Sequence, residues 1–370
     1  MNVRRRGRRA LSCASLVVLV GIGVLSSTPG VRAASAPRFR QGNARLVNVH
    51  TVTRFARPFL LSDLSTGGHL AAFTRLSRDG SRLIGGVIDL VHGTVRFVTT
   101  VGSSPSGVQL SPDASALMFR RWNTLRVFHL ATGVVTVAEH GVARAGAWWW
   151  LSDGRVAYVN VHRRLLIGEP GHRPHRAGVT IPLAAGRSRF LLSALAVSDD
   201  ASRAVYTDGR CRVHRVNLET HAARVVALQS FAPIRAWAPD GQHFVLTKVG
   251  SGCGGPPFIE ILFKRHGDRV GRVTRTSDAL STGHSVTWSS DSKWILIVVQ
   301  PTGTMVTGYR YLLAAYVPTH RVTTVVPNRV ASDAFAGPGD RTLLSRFRFA
   351  QGASTGHEEG RVIQGTLVPA

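Results

Sequence analysis

Short runs of apolar residues, separated by tight polar turns, fill most of the chain. The runs are rich in β-branched and aromatic residues, as in residues 294–298 (WILIV), and they have the length of β-strands. No segment longer than about ten residues shows the 3.6-residue apolar period of a helix. The pattern therefore predicts an all-β fold.

One turn recurs along the chain. It consists of an apolar residue, two small or polar residues, Asp and a small residue, and a strand-like run follows it. Such residues favour tight turns, because Pro presets φ, Asp bonds nearby amides and Gly accepts positive φ. The copies are centred on Asp79, Asp113, Asp153, Asp200, Asp240, Asp291 and, in a degenerate form, Asp340.

A second hairpin follows the recurring turn in most copies. In one of them residues 124–130 form a strand, residues 131–133 (ATG) a turn and residues 134–138 the return strand. Each unit then holds four strands, and a four-stranded repeat of roughly 40–50 residues is typical of a β-propeller blade. We predict a β-propeller of four-stranded blades, with seven blades favoured by the number of turns and six possible.

The two ends of the chain are expected to complete one blade together. Two clear strands, 342–349 and 361–368, follow Asp340, and a further run, 44–53, precedes the first turn by a blade's width. An N-terminal strand added to the last blade would close the ring and cover a sheet edge. We predict a single propeller domain over residues 44–370, preceded by a short linker, 34–43.

The recurring turns resemble the Ser-Pro-Asp-Gly turn of the WD40-like (PD40-type) repeats in the TolB family of propellers. The likeness includes the Trp or aliphatic residue three positions before each Asp. It implies that each turn joins the innermost strand of a blade to the second strand, and that the turns share one face. It also implies protein binding through a propeller face, although the partner of TolB is not carried over, because TolB has a further N-terminal domain. The best-known TolB relatives have six blades, which leaves the blade count open.

Residues 1–33 are predicted to be a secretory signal peptide. Arginines within residues 4–9 precede an apolar stretch, 11–27, and Val31 and Ala33 place small residues before a cleavage site. The alternative is an uncleaved segment that anchors the chain in a membrane. No later stretch is long and apolar enough to span one. We expect an exported protein that is secreted, periplasmic or associated with the cell envelope.

The charge of the chain is strongly positive. It has 46 Lys and Arg against 20 Asp and Glu, a formal net charge of +26. A field of this sign attracts acidic proteins, lipid headgroups and wall polymers. Arginine greatly outnumbers lysine, which is also typical of a GC-rich genome. Because an exported chain has little access to nucleic acid, we expect a protein or an anionic envelope polymer as the partner of a monomeric chain.

A set of basic and aromatic residues falls in the loops between second and third strands. If the Asp turns share one face, these loops lie on the opposite face, where a basic rim could bind an anion or a peptide. The alternative is a set of ordinary solvated loops. The candidate binding residues are Arg120, Arg121, Trp122, His162, Arg163, Arg164, Arg210 and Arg310.

Two cysteines follow residue 33. Cys211 and Cys253 each come at a similar distance after an Asp turn, which places both between the second and third strands of adjacent blades. In an oxidising compartment such a pair predicts a disulfide; the alternative is two separate thiols. Two cysteines without further ligands at suitable spacing predict no metal site, and we expect no cofactor.

Catalytic motifs are weak or missing. Residues 250–255 (GSGCGG) match a phosphate-binding loop, but Pro256 and Pro257 follow in place of a helix. We therefore expect a non-catalytic binding scaffold. One alternative is a lyase or hydrolase of acidic polysaccharide, which would need histidines converging on the channel. Another is a sensor fragment held by an uncleaved anchor. Residues 148–150 (WWW) are expected to pack between blades rather than to form a ligand platform.

Overall fold

The chain forms antiparallel β-sheets throughout its described length. The computed structural model describes residues 44–56, 59–79, 81–102, 107–143, 147–181, 195–228, 236–248, 259–265, 268–276, 286–299, 311–319, 321–326, 334–337, 341–348 and 359–369. A single turn of 3-10 helix, Val317–Thr319, interrupts the strands. The predicted all-β class is confirmed.

The strands are short and follow one another closely along the chain. They are β1 (Ala44–Phe55), β2 (Phe59–Leu64), β3 (Leu70–Leu76), β4 (Leu83–Asp89), β5 (Val95–Gly102), β6 (Val108–Leu110), β7 (Ala116–Arg121), β8 (Thr124–His129), β9 (Val135–Glu139), β10 (Trp148–Trp150), β11 (Val156–Val159), β12 (Arg164–Gly168), β13 (His175–Thr180), β14 (Leu195–Val197), β15 (Arg203–Thr207), β16 (Arg212–Asn217), β17 (Ala223–Leu228), β18 (His243–Lys248), β19 (Ile259–Arg265), β20 (Asp268–Thr276), β21 (Val286–Trp288), β22 (Trp294–Val299), β23 (Tyr311–Tyr316), β24 (Arg321–Val326), β25 (Ala334–Ala336), β26 (Arg341–Arg348) and β27 (Glu359–Pro369).

The described strands form seven sheets, each with its strands in meander order. In chain order the first four blades are β2–β5, β6–β9, β10–β13 and β14–β17, and the sixth is β21–β24. The fifth has three named strands, β18–β20, and its innermost strand is short: Trp237 forms a β-bridge with Phe244. This arrangement is the predicted propeller of four-stranded blades.

The seventh blade is built from both ends of the chain. Its strand order is β1-β27-β26-β25, so β1 is the outermost strand. β1 pairs with β27 along its whole length, from Ala44 opposite Pro369 to Phe55 opposite Gly360. The predicted closure of the ring by an N-terminal strand is confirmed.

The core is divided among the junctions between neighbouring blades. Within the described residues, each of seven buried apolar clusters draws its side chains from two adjacent blades. Trp148 packs between the second and third blades and Trp149 between the third and fourth, because successive strand residues point to opposite faces of a sheet. The expected packing role of these tryptophans is confirmed.

Four of the turns share one set of local hydrogen bonds, namely those at Asp79, Asp113, Asp200 and Asp291. In the second blade the Ser111 hydroxyl donates to Asp113 at 2.5 Å and accepts from the backbone N–H of Ala116 at 3.0 Å. Asp113 also accepts from the N–H of Ser115 at 3.1 Å. Hydrogen bonds from Ser111 and Ser115 lower the pKa of Asp113, so the turn is made by an ionised carboxylate.

The residue after the Asp has positive φ in several of the recurring turns. Glycine meets this requirement at Gly154 and Gly241, whereas Ala114, Ala201 and Ser292 adopt the left-handed conformation with φ of 57–59°. Non-glycine residues pay about 1 kcal/mol for that conformation. The turn is therefore dictated by its Asp hydrogen bonds more than by the residue that follows.

Five of the predicted turns join a first strand to a second strand, as expected. They are the turns at Asp113, Asp153, Asp200, Asp240 and Asp291. Asp340 lies outside the described residues, between β25 and β26.

The position predicted for Asp79 is wrong. Its turn joins β3 to β4, the second and third strands of the first blade. The true inner turn of that blade begins at Ser65, whose hydroxyl accepts from the N–H of Leu70 at 3.0 Å, and it contains no Asp. The turn at Asp79 has the same hydrogen bonds as the others, with Ser77 as its serine. A local pattern of this kind can join any two antiparallel strands, so it does not specify which pair.

Side chains also connect the innermost strands of neighbouring blades. The indole N–H of Trp237 donates to the carbonyl oxygen of Ala196 at 3.3 Å, and that of Trp288 to Ala236 at 3.1 Å. In the first blades Asp63 accepts from the N–H of Leu110 at 2.8 Å, and Gln109 donates to the Trp148 carbonyl at 3.0 Å. At Trp237 and Trp288, the Trp three positions before the Asp therefore joins one blade to the previous one.

Replacing Trp288 by Phe tests this connection. We expect Trp288→Phe to lower the free energy of unfolding by about 2 kcal/mol, because it removes a buried hydrogen bond and buried apolar area. The Ala236 carbonyl keeps its bond from the N–H of Val245. The measurement is chemical denaturation followed by circular dichroism. Trp122→Phe, at a position that is 83% exposed, is the matched control and should change stability little. Equal losses in the two variants would contradict the assignment.

Candidate functional site

The turns between second and third strands of the first four blades form one surface, which we call the basic face. They are residues 77–82, 121–124, 160–164 and 208–212. Because strands of a blade alternate in direction, these turns lie opposite the turns between first and second strands. The opposite surface, which also carries the turns between third and fourth strands, is called the Asp-turn face.

Most of the predicted binding residues lie on the basic face and reach solvent. Arg121, Trp122, His162 and Arg210 are exposed, and Arg163 and Arg164 are half-buried. Arg310 lies outside the described residues.

The prediction for Arg120 is wrong. This residue is only 6% exposed, and its guanidinium donates to the carbonyl oxygen of Ala143 at 2.9 Å. The side chain is covered by the segment that leads from the second blade to the third. Arg120 therefore supports that segment from beneath and is not part of the solvent-facing rim.

The turns of the third and fourth blades share one hydrogen-bonding scheme. Asn160 Oδ1 accepts from the N–H groups of His162 and Arg164, both at 3.0 Å. Asp208 Oδ1 accepts from Arg210 at 2.8 Å and Arg212 at 3.0 Å in the same way. Side-chain bonds of this type stabilise a single turn conformation. The basic residues of these two turns are therefore presented on a fixed backbone.

Asp208 organises the turn of the fourth blade, and it was not singled out from the sequence. Its side chain also accepts from Arg212 Nε at 2.8 Å and from His214 Nε2 at 2.9 Å, and the His214 ring stacks on Tyr206. Burial raises the pKa of Asp208, but the hydrogen bonds from Arg212, His214 and Arg210 outweigh it and bring the pKa to about 2. In the sequence, the only indication that Asp208 belongs to this face is its position in a turn, two residues before Arg210.

The turns of the second and third blades are joined into one unit. The carbonyl oxygen of Asn123 accepts from the N–H of Val142 at 2.9 Å, and the N–H of Val161 donates to Gly141 at 2.8 Å. The segment between them thus bridges both turns. Trp122 and His162 consequently lie on neighbouring turns that are hydrogen-bonded to the same segment.

Trp122 is in an unusual backbone conformation. It is the first residue of a two-residue turn, with Arg121 paired opposite Thr124, and its φ is 60°. Glycine normally occupies such a position in a two-residue hairpin turn. Arg163 and Cys211 adopt a similar positive φ in the corresponding turns of the third and fourth blades, and Trp122 combines it with a side chain that is 83% exposed.

Charge is distributed unequally between the two faces. The four turns of the basic face contain seven arginines and one histidine against two acidic residues, Asp79 and Asp208. Within the part of the chain that the structure describes, Arg121, Arg163 and Arg210 form no ion pair. The basic face therefore carries uncompensated positive charge.

Acidic residues of the Asp-turn face are largely paired with bases. Asp153 contacts Arg155 at 2.7 Å and Asp291 contacts Lys293 at 3.0 Å. Asp89 and Asp240 hold His92 and His243 in the same manner. Across the described turns of this face, aspartate and glutamate outnumber arginine and lysine, so the face carries net negative charge.

The described residues also bear on the predictions for a metal site, a membrane-spanning segment and a disulfide. No group of three or more His, Cys, Asp or Glu among the described residues could hold a metal ion. The described part of the chain also has no helix with the length and apolar character needed to cross a membrane. Cys211 is buried in the turn between β15 and β16, and Cys253 lies outside the described residues.

Comparison with known proteins identifies the fold. No protein-family model and no curated protein matches the chain. An oligogalacturonate lyase in complex with manganese matches 89% of this chain and 98% of its own, with 15% identity and a TM-score of 0.56. The Cps50 (Swd1) β-propeller domain of Myceliophteria thermophila matches 86% of this chain and 99% of its own, with 9% identity and a TM-score of 0.50. TolB from Acinetobacter baumannii matches 80% of each chain, with 16% identity and a TM-score of 0.39. The first two likenesses show a shared β-propeller fold.

The strain at Trp122 generates a prediction about stability. We expect Trp122→Gly to raise the free energy of unfolding by about 1 kcal/mol, because glycine adopts positive φ without a steric penalty. Urea denaturation measures the change. Asn123→Gly, at a position without positive φ, is the control and should be destabilising. A loss of stability in Trp122→Gly would show that the indole supports the fold.

Proposed function

We propose that this protein is an exported, non-catalytic β-propeller scaffold that binds an anionic partner, an acidic protein or an envelope polymer, through its basic face. The observation that carries the proposal is the separation of charge: arginines are in excess on one face and carboxylates on the other. A surface of one sign raises the local concentration of oppositely charged partners.

The chemistry of the exposed residues supports this role. Arginine presents a planar fork of donors that matches carboxylate and phosphate groups, and Arg121, Arg163 and Arg210 are available for such contacts. Trp and Arg are the residues that contribute most often to binding energy at protein surfaces. The hydrogen-bonded turns at Asn160 and Asp208 limit the entropy lost when a partner binds.

The N-terminal segment, with the features of a signal peptide, supports export. The position of the two cysteines in the propeller supports a disulfide between Cys211 and Cys253. Cys211 lies between the second and third strands of the fourth blade, and residue 253 lies in the corresponding position of the fifth, between β18 and β19. Loops of this kind in adjacent blades lie on the same face. A disulfide between these loops would connect the fourth blade to the fifth on the basic face.

Charge reversal at the basic face tests binding. With the full-length chain and poly-L-glutamate as probe, Arg121→Glu combined with Arg163→Glu should weaken binding roughly tenfold at low salt, because two attractive charges become repulsive. Binding by the unaltered chain should also fall as the salt concentration rises. Isothermal titration or fluorescence anisotropy measures both effects.

The control is a charge reversal on the other face. Arg173 and Arg176 are exposed in and just after the turn between β12 and β13, so Arg173→Glu combined with Arg176→Glu changes the net charge by the same amount as the test variant without altering the basic face. Equal weakening by this control pair would indicate attraction by the net charge alone and would contradict a defined site. Incubation with polygalacturonate tests the catalytic alternative, since shortening of the polymer would replace the non-catalytic assignment.

Intact-mass measurement tests export and the disulfide together. Protein recovered from outside the cytoplasm should begin at Ala34 and should gain two hydrogens on reduction, because the signal peptide is removed and Cys211 is bonded to Cys253. A mass that includes residues 1–33 would support the uncleaved anchor. A mass unchanged by reduction would show two separate thiols.

A further inference from the structure

Exposed apolar side chains occur on the basic face in four consecutive blades. Leu76 precedes the turn of the first blade and is 54% exposed, and Trp122 in the second is 83% exposed. Val161 in the third is 55% exposed and Leu228, at the end of β17 in the fourth, is 63% exposed. We call these four residues the apolar tips.

Each apolar tip has arginine beside it. Leu76 is two residues before Arg78, Trp122 follows Arg121, and Val161 precedes His162 and Arg163. Leu228 is paired with Arg212 across the β16–β17 ladder. Single apolar side chains thus alternate with cations along one side of the ring.

This spacing favours a planar, anionic surface over a folded partner. Apolar anchors that bind a protein normally cluster into one patch filling pockets, whereas the apolar tips stand on separate blades, and neighbouring sheets lie roughly 10 Å apart. At a bilayer surface, amphipathic side chains such as Trp lie at headgroup level, and basic residues are attracted to anionic lipids.

We propose that the basic face docks on the surface of a bilayer containing anionic phospholipid. The apolar tips enter the headgroup region and the neighbouring arginines contact phosphate groups. This inference rests on the proposed anion-binding role of the same face and names one surface that it binds. Docking of this kind would hold the ring against a membrane without a spanning segment.

The Asp-turn face provides the contrast that the proposal needs. Val91 is 71% exposed there, but its backbone N–H donates to Asp89, and Asp89 carries negative charge beside it. An anionic membrane would repel that neighbourhood. Val134 is also exposed on this face, at 53%, and has no acidic residue beside it. Exposure alone therefore does not distinguish the two faces; the arginine beside each apolar tip does, since neither Val91 nor Val134 has one within two residues.

The test is sedimentation of the full-length chain with vesicles of phosphatidylcholine containing 30% phosphatidylglycerol. We expect Trp122→Gly to weaken binding roughly tenfold, through loss of buried apolar area, and Arg121→Glu to weaken it roughly fivefold or more. Arg121→Lys should bind like the unaltered chain, since a headgroup surface responds to charge. Val91→Ser, on the Asp-turn face, is the matched control and should have no effect.

Hydrogen exchange, measured with and without the same vesicles, distinguishes docking by the basic face from binding by residues 1–43. If the basic face docks, adding vesicles should slow amide exchange in residues 121–124 and 160–164 more than in the turn at Asp113. Protein that binds vesicles without this protection is held by its N-terminal segment, and the proposal is then overturned.

The outcomes also separate this inference from the proposed function. If Trp122→Gly binds vesicles normally while Arg121→Glu loses both vesicles and poly-L-glutamate, the face is purely electrostatic: the bilayer proposal fails and the anion-binding function stands. If charge reversal affects neither probe, both proposals fail. A large loss in Arg121→Lys would indicate a bidentate protein contact and would also overturn bilayer docking.

Discussion

Burial of apolar side chains between neighbouring blades is the interaction on which the structure depends. A single four-stranded sheet cannot cover both of its faces, and each described apolar cluster is shared by two blades. The arrangement is stable only when every blade has a neighbour on both sides, so the ring must close. Pairing of β1 with β27 meets this requirement, because it completes the seventh blade and joins the two ends of the chain.

Closure of the ring also explains how a functional surface arises from short turns. Each turn between second and third strands is too small to form a site alone, but adjacent blades bring several of them onto one surface. The segment through Gly141 and Val142, supported by Arg120, then links the turns of two blades. The packed blades allow Trp122 to keep a strained, exposed conformation, since packing elsewhere offsets the free energy of the strain.

The sequence predicted the repeat, the strand content, the closing strand and most basic residues of the candidate site. It misplaced Asp79, because Ser77 and Asp79 form the same local hydrogen bonds as the inner turns and nothing local records which strands they join. It also misjudged Arg120, since burial under the Ala143 segment depends on the next blade. Asp208 was overlooked for a related reason: its partners Arg212 and His214 are close in sequence, but its burial is not visible there.

The sequence by itself determined everything that depends on periodicity and turn chemistry. Alternation of apolar residues, Asp-centred turns and unit length are properties of contiguous residues, and they specify blades. Only the tertiary structure decided which side chains from different blades meet, because contacts across a junction join residues about forty positions apart, such as Trp237 and Ala196. The separation of charge between faces also required the fold, since it depends on which end of each strand a residue occupies.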